Sequence, residues 1–215
     1  MHLIQYATEA DGPALAKVNV QSFQSRLLLG AVWPESDQNT IQEFKIHVGM
    51  RHLANPNMHV VKIHNDSGEL VTYSRWQFPA SLGESHVTLS DEAALILKNI
   101  DAYTPRPMNE TVYKAFKQLL AEARERHTRP DDILLDLLAT LPEYQGQGYG
   151  SAILKWGIEK ADATKSRIFL EATPAGVPLY LKYGWRHLEE VTMDLAQYGG
   201  TGVESYYMMM RDPVL

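Results

Sequence analysis

Residues 142–151 read PEYQGQGYGS, with glycine at positions 146, 148 and 150. The apolar run ILLDLLATL precedes this segment at 133–141. Apolar residues recur at helical spacing after it, at Ile153, Leu154, Gly157, Ile158 and Ala161. This order predicts a strand, a glycine-rich turn and a helix whose N-terminus points back at the turn.

Such a turn favours an anionic ligand. We expect free backbone N–H groups from about Gln145 to Ser151, next to the positive end of the helix dipole, which together favour a phosphate or pyrophosphate. A side chain at any of the three glycines would keep a phosphate away or forbid the required backbone angles. A glycine turn without a ligand is the alternative.

A dinucleotide site is a second alternative for the same segment, because Glu171 ends the next strand where an acidic residue would hold a ribose. Ser151 stands at the third glycine position, however, and four residues separate the strand from Gly146. The sequence after Glu171 is also too short for further βαβ units, and no Gly-Lys-Ser or Gly-Lys-Thr follows the turn. These features disfavour a nicotinamide-dependent oxidoreductase and an ATP-binding loop.

The spacing Gln145-x-x-Gly148-x-Gly150, preceded by Pro-Glu-Tyr, resembles the acyl-CoA pyrophosphate loop of the GCN5-related N-acetyltransferase (GNAT) superfamily. The segment PLYLKYGW at 178–185 is similar to the closing helix and strand of that family. An Ala-Thr-x-x-Asp segment at 7–11 and Phe23 look like its opening strand and helix. The resemblance covers most of the chain apart from residues 79–127.

The resemblance implies one GNAT-like domain over residues 1–215 with an α/β (α+β) fold. We expect a mixed, twisted central sheet of about seven strands, flanked by helices. Two strand-like runs, MHVVKIH and ELVTYSRWQF, surround a turn and predict a hairpin. A helical insertion at about 79–127 would separate the third strand from the fourth, DDILLDLLATL, which we expect to be buried on both faces.

The resemblance also implies the site residues. Tyr180 would be the general acid. Glu171 is the candidate base and Asp136 is the alternative candidate, although many enzymes of this family need no dedicated base. Tyr180 as a packing residue and both acids as structural partners are the alternatives. The acyl-CoA would contact the splayed strand, the glycine turn and the next strand's end through Leu138, Ala139, Thr140, Leu141, Gln145, Gly146, Gln147, Gly148, Tyr149, Gly150, Ser151 and Thr173. Thr173 stands where the family often has asparagine, so its hydroxyl replaces only one amide hydrogen bond.

Composition restricts the partners. The formal net charge is −6 without a basic block, which disfavours nucleic acid. Cysteine is absent, so disulfides and thiolate chemistry are excluded, and no histidine pair has zinc-ligand spacing, so no metal is expected. Without a long apolar run or a signal-like N-terminus, we expect no membrane association and a cytoplasmic location. The strand ESYYMMMRD belongs to the core or to an interface, so a homodimer is open.

The sequence therefore predicts an N-acetyltransferase that uses acetyl-CoA and a primary amine of a small molecule or peptide, by direct attack. A non-catalytic acyl-CoA-binding protein with the same fold is the main alternative. Substrate pockets in this family are built from the variable helix pair and insertion, here about residues 24–55 and 79–127, so the acceptor amine stays open.

Overall fold

The computed structural model describes residues 2–23, 26–83, 85 and 87–214. In this part of the chain, seven strands form one sheet. The strands are Gln5–Tyr6 (β1), Met58–His64 (β2), Leu70–Gln77 (β3), Ile133–Thr140 (β4), Ile168–Ala172 (β5), Arg186–Asp194 (β6) and Val203–Arg211 (β7). The α-helices are Gly12–Phe23 (α1), Leu27–Val32 (α2), Gln38–Leu53 (α3), Asp91–Lys98 (α4), Glu110–His127 (α5), Tyr149–Thr164 (α6) and Val177–Lys182 (α7).

The strand order is β1-β2-β3-β4-β5-β7-β6, and β4 with β5 is the parallel pair of the described sheet. The predicted mixed seven-stranded sheet and the β2–β3 hairpin are confirmed. A dinucleotide fold would need a parallel, doubly wound sheet, and this topology does not provide it.

Helices cover both faces of the sheet. Val60 packs in a core with residues of α1 and α3, whereas the next residue, Val61, packs in the core formed with α6. Successive strand residues point to opposite faces, so the two cores lie on opposite sides of β2. This arrangement places α6 on the face away from the α1–α3 pair.

The segment between β3 and β4 is helical, as predicted, and contains α4 and α5. Helix α5 packs through Phe116 and Ala123 on the face formed by β5, β6 and β7. The methionines at 208–210 of β7 are buried between β5 and β6, which places this strand in the core.

The structure contains a short apolar helix, α2, whose six residues are too few for a periodic pattern in the sequence. One expectation about local structure was wrong. Strand β4 is not buried throughout, since Asp136, Leu137 and Leu138 are only partly buried beside a cavity. No helix of the described residues has the length and apolar content needed to cross a membrane.

Helix α6 approaches the sheet closely at one point. The Trp76 side chain of β3 is fully buried, and its Nε1 donates a hydrogen bond to Ser74 Oγ at 2.7 Å. A Cβ atom added to Gly157 of α6 would lie 2.2 Å from Cη2 of the Trp76 ring. The rigid indole and the helix backbone therefore touch directly, and only glycine permits this distance.

We expect Gly157→Ala to lower the free energy of unfolding by about 1–3 kcal/mol, because the added methyl must displace the Trp76 ring or the helix. Gly30→Ala is the matched control, since Gly30 is also helical and a Cβ there meets nothing within 4 Å. The control should raise stability by up to about 1 kcal/mol through helix propensity. Urea unfolding of both variants measures the difference, and equal stability of the two would contradict the close packing.

Candidate functional site

Strand β4 separates from β5 partway along its length. It pairs with β3 as far as Thr140, but its pairing with β5 ends at Leu135 and Leu170. The predicted splay is therefore present. It opens a cleft of about 630 Å³, which is lined by β4, the glycine segment, the end of β5 and α7.

The register with β3 decides which β4 groups face this cleft. The Leu141 N–H donates to the Val71 carbonyl at 2.9 Å, so Leu141 directs its backbone toward β3. Because hydrogen-bonding directions alternate in an antiparallel ladder, Ala139 also faces β3, while Leu138 and Thr140 face the cleft. The backbone groups of Ala139 and Leu141 are therefore turned toward β3, although Ala139 still borders the cleft, and Leu141 is fully buried. The predicted contacts of these two residues with acyl-CoA stay predictions.

The Thr140 carbonyl already has two donors. Ser22 Oγ of α1 donates to it at 2.9 Å, and Gln145 Nε2 donates at 3.1 Å. Among the described side chains none forms a hydrogen bond with the backbone of Leu138. Leu138 is thus the more open backbone position on the cleft side of β4.

The glycine segment has the geometry of an anion site. Gly146 and Gly148 have φ of +74° and +90°, and a Cβ on either would meet nothing within 4 Å. In α6, the helical hydrogen bonds begin at Ala152, whose N–H donates to the Gly148 carbonyl four residues earlier. The preceding N–H groups of the first helical turn lack such partners and point toward the cleft end of the helix.

Three details of the segment differ from expectation. Gly150 lies inside α6, and a Cβ there would make ordinary contacts of 3.7 Å, so the backbone reason for glycine does not apply. The Gln145 N–H is not free, because it donates to the Pro142 carbonyl at 3.3 Å. The Gln147 side chain donates to the Glu143 carbonyl at 2.8 Å and does not line the cleft, whereas Tyr149 and Ser151 do.

Tyr180 of α7 lies on the wall of the same cleft as the glycine segment. Its side chain packs against Trp185, with ring centroids 5.8 Å apart, and the residue is 8% exposed. Burial raises the pKa of its phenol above the ordinary range. Among the described residues, the hydroxyl has no hydrogen-bond partner. The phenol is therefore protonated and free to donate to a group in the cleft.

The two predicted acids lie together beyond the splay. The Glu171 carboxylate accepts hydrogen bonds from Arg124 of α5, with Oε1 2.9 Å from Nη2, and burial raises the pKa of Glu171 despite this cation. Asp136 lies 2.8 Å from Arg75. Burial alone would raise the pKa of Asp136, but the neighbouring positive charges, of which Arg75 contributes most, together outweigh it and lower that pKa. Glu171 is therefore the stronger base of the pair.

A second cavity of about 320 Å³ adjoins the cleft. The predicted segments contribute to it through residues of α2, α3 and α5, and α1 and β3 contribute as well. The two spaces share one wall, formed by Phe23, Asp136, Leu137, Glu171 and Thr173. The predicted Thr173 position is therefore at the junction of both.

Several residues around these spaces had no signal in the sequence. Ser22, His52, Lys45, Arg75 and Arg124 belong to no motif in the sequence. Burial and the charge of Arg75 lower the pKa of His52 to about 3, so its imidazole is neutral. Within the described ranges, no group of three or more histidine or acidic side chains could hold a metal ion.

Comparison with known proteins identifies the domain. Residues 109–187 match the family model described as an acetyltransferase (GNAT) domain. No curated protein sequence matches the chain. The matched segment contains the glycine turn and Tyr180, and the predicted resemblance to the GNAT superfamily is confirmed.

Solved structures share the fold over the whole chain. The histone acetyltransferase HPA2 and related acetyltransferase from Corynebacterium glutamicum ATCC 13032 has a TM-score of 0.62 at 18% identity, covering 100% of this chain and 97% of that one. An acetyltransferase from Thermus thermophilus has a TM-score of 0.57 at 13% identity, with 99% and 97% coverage. An N-acetyltransferase from Staphylococcus aureus has a TM-score of 0.54 at 10% identity, with 99% and 98% coverage.

We expect Arg124→Gln to raise the pKa of Glu171 further, because the variant removes a cation and a charge-assisted hydrogen bond from a buried carboxylate. Carbon-13 NMR titration of glutamate side-chain carboxyls measures the change. Arg106→Gln is the control, since Arg106 pairs with the exposed Glu110 at 3.1 Å. A Glu171 pKa that falls or stays constant in Arg124→Gln would contradict the electrostatic role of Arg124.

Proposed function

We propose that this chain, whose residues 109–187 match the GNAT domain model, is an N-acetyltransferase that transfers an acetyl group from acetyl-CoA to a primary amine. One observation carries the proposal. The N-terminus of α6, the open edge of β4 and the Tyr180 phenol line one cleft, and that cleft meets a second cavity beside Glu171. The first space fits the cosubstrate, and the second fits the acceptor.

In this proposal the pyrophosphate of CoA binds the N–H groups of the glycine segment and the first turn of α6. The pantetheine arm follows the splayed edge of β4 and hydrogen-bonds to Leu138, where β5 supplies no partner. Both donors on the Thr140 carbonyl are side chains, so Gln145 or Ser22 can turn away if pantetheine takes that position. The acetyl group then reaches the wall shared by the two cavities.

The chemistry proposed is direct attack. Glu171 accepts a proton from the acceptor ammonium, directly or through water, and the neutral amine forms a C–N bond with the thioester carbonyl carbon. A backbone N–H of the splayed strand stabilises the oxyanion that develops. The C–S bond then breaks, and the Tyr180 phenol donates its proton to the departing thiolate. The second proton, which the nitrogen loses as the amide forms, passes through water to the Tyr180 phenolate. Asp136, paired with Arg75, supplies negative charge beside the ammonium.

A non-catalytic acyl-CoA-binding protein would use the same cleft. Glu171 on the wall shared with the second cavity favours catalysis, because burial raises its pKa despite Arg124, and a carboxylate of raised pKa is a better proton acceptor. Incubation with acetyl-CoA and a panel of amines, polyamines, amino acids and peptides, followed by mass spectrometry, tests the proposal. Acetylation of at least one amine would support it, and binding of acetyl-CoA without any product would favour the non-catalytic alternative.

We expect acetyl-CoA and CoA to raise the melting temperature of the wild-type protein, and NAD to leave it unchanged.

Gly148→Val should weaken CoA binding at least about tenfold, because its side chain would occupy the space in front of the N–H groups. Gly68→Val is the matched control, since Gly68 has a similar φ of +81° and open surroundings in the hairpin turn. Calorimetric titration with CoA compares the variants. Equal affinity in both would show that the pyrophosphate lies elsewhere.

We expect Tyr180→Phe to lower kcat by about 10²-fold or more, the scale of a lost general acid, with little change in acetyl-CoA affinity. The ring keeps its packing against Trp185, so the melting temperature should change little. Tyr183→Phe is the control, because Tyr183 ends the same helix but does not line the cleft. Release of CoA thiol, measured with an accepted amine, gives the rates. A kcat within about threefold of wild type would remove Tyr180 from the proton transfer.

A further inference from the structure

The charged side chains around the second cavity are compensated with one exception. Arg26 forms an ion pair with Glu204 and lies 5.0 Å from the centre of the Tyr206 ring. Arg75 pairs with Asp136. The remaining acid, Glu171, has its own cation in Arg124, which lies outside the cavity lining.

Lys45 of α3 is the exception. Among the described residues it has no acidic partner, and its Nζ lies 5.8 Å from the centre of the Trp33 ring. Burial and the neighbouring charges of Arg75 and Lys117 lower the pKa of Lys45 to about 8, which leaves it largely protonated at neutral pH. The cavity lining therefore contains a partly buried cation without an acidic partner among the described residues, and an anion can pair with it through a charge-assisted hydrogen bond.

Lys45 does not border the cosubstrate cleft. Lys45 lines only the second cavity, whereas Asp136 and Glu171 lie on the wall shared with the cosubstrate cleft. Apolar side chains form most of the remaining wall: Leu15, Phe23, Leu28, Leu29, Val48 and Leu120. The cavity lining thus contains two acids that border the cosubstrate cleft, one cation that does not, and a largely apolar remainder.

We infer that the acceptor is an apolar amino carboxylate, whose amine lies beside Asp136 and Glu171 and whose carboxylate binds Lys45. This assignment rests on the proposed acetyl transfer and adds the substrate class. An amine without an anionic group would leave Lys45 without a counter-charge, and a polycationic amine would be repelled by it.

Matched amine pairs test the inference. The probes are L-phenylalanine with 2-phenylethylamine, and 6-aminohexanoate with hexylamine. The two members of each pair differ in the carboxylate, which is next to the amine-bearing carbon in the first pair and at the far end of the chain in the second. We expect at least one carboxylate to exceed its partner about tenfold or more in kcat/KM. Lys45→Met should remove that preference, mainly through a higher KM for the carboxylate, while Lys45→Arg should restore part of it.

Lys117→Met is the control, because Lys117 is exposed and does not line the cavity, although its charge acts on Lys45. Its carboxylate preference should stay within about threefold of wild type. Lys45→Gln replaces Lys45→Met if the latter does not fold. The inference is overturned if neither carboxylate is preferred, or if the preference persists without a cation at position 45.

A binding measurement separates this inference from the proposed function. In the presence of saturating CoA, N-acetyl-L-phenylalanine and N-acetyl-2-phenylethylamine are titrated into wild-type and Lys45→Met protein, and the 6-acetamidohexanoate pair likewise. Tighter carboxylate binding that depends on Lys45 supports the anion site even if no amine is turned over, in which case the proposed function fails alone. Acetylation of amines without any such dependence overturns the inference and leaves the proposed function standing.

Discussion

Strand β4 is held by β3 as far as Thr140, and β5 is held by β7 as far as Ala172, but the two strands pair with each other only to Leu135 and Leu170. Beyond that point each strand has one satisfied edge and one open edge. Open backbone groups inside a protein need partners from side chains, water or ligand. Ser22 and Gln145 supply them for the Thr140 carbonyl, whereas no described side chain forms a hydrogen bond with the backbone of Leu138. Both cavities border this opening.

The position of α6 follows from a second constraint. The contact between Trp76 and Gly157 allows the helix to lie directly on the sheet. The helix N-terminus then faces the splayed ends of β4 and β5, where it can act on a phosphate. A displaced helix would carry its N–H groups away from the strand edge. A packing contact in the middle of α6 thus helps to fix the position of the helix N-terminus beside the cleft.

Burial and local charge give two neighbouring acids different properties. Arg75 lowers the pKa of Asp136, whereas burial dominates at Glu171 and raises its pKa, in spite of Arg124. One acid is suited to remain a fixed negative charge and the other to accept a proton. Because Arg124 belongs to the inserted helix α5, the insertion contributes to the electrostatics of the site as well as to its walls.

The sequence by itself determined the elements whose signals are local. Glycine spacing and the apolar stripe of α6 specify a strand, a turn and a helix, because backbone preferences act over a few residues. The motif around Tyr180 likewise specifies a short helix followed by a strand. Only the tertiary structure decided which groups meet. Ser22 reaches Thr140 across 118 positions, and Arg124 reaches Glu171 across 47. The register with β3 turned Leu138 toward the cleft and Ala139 away from it, and the packing of α3 placed Lys45 in the second cavity. Contacts of this kind depend on how strands and helices assemble, and no spacing along the chain specifies that.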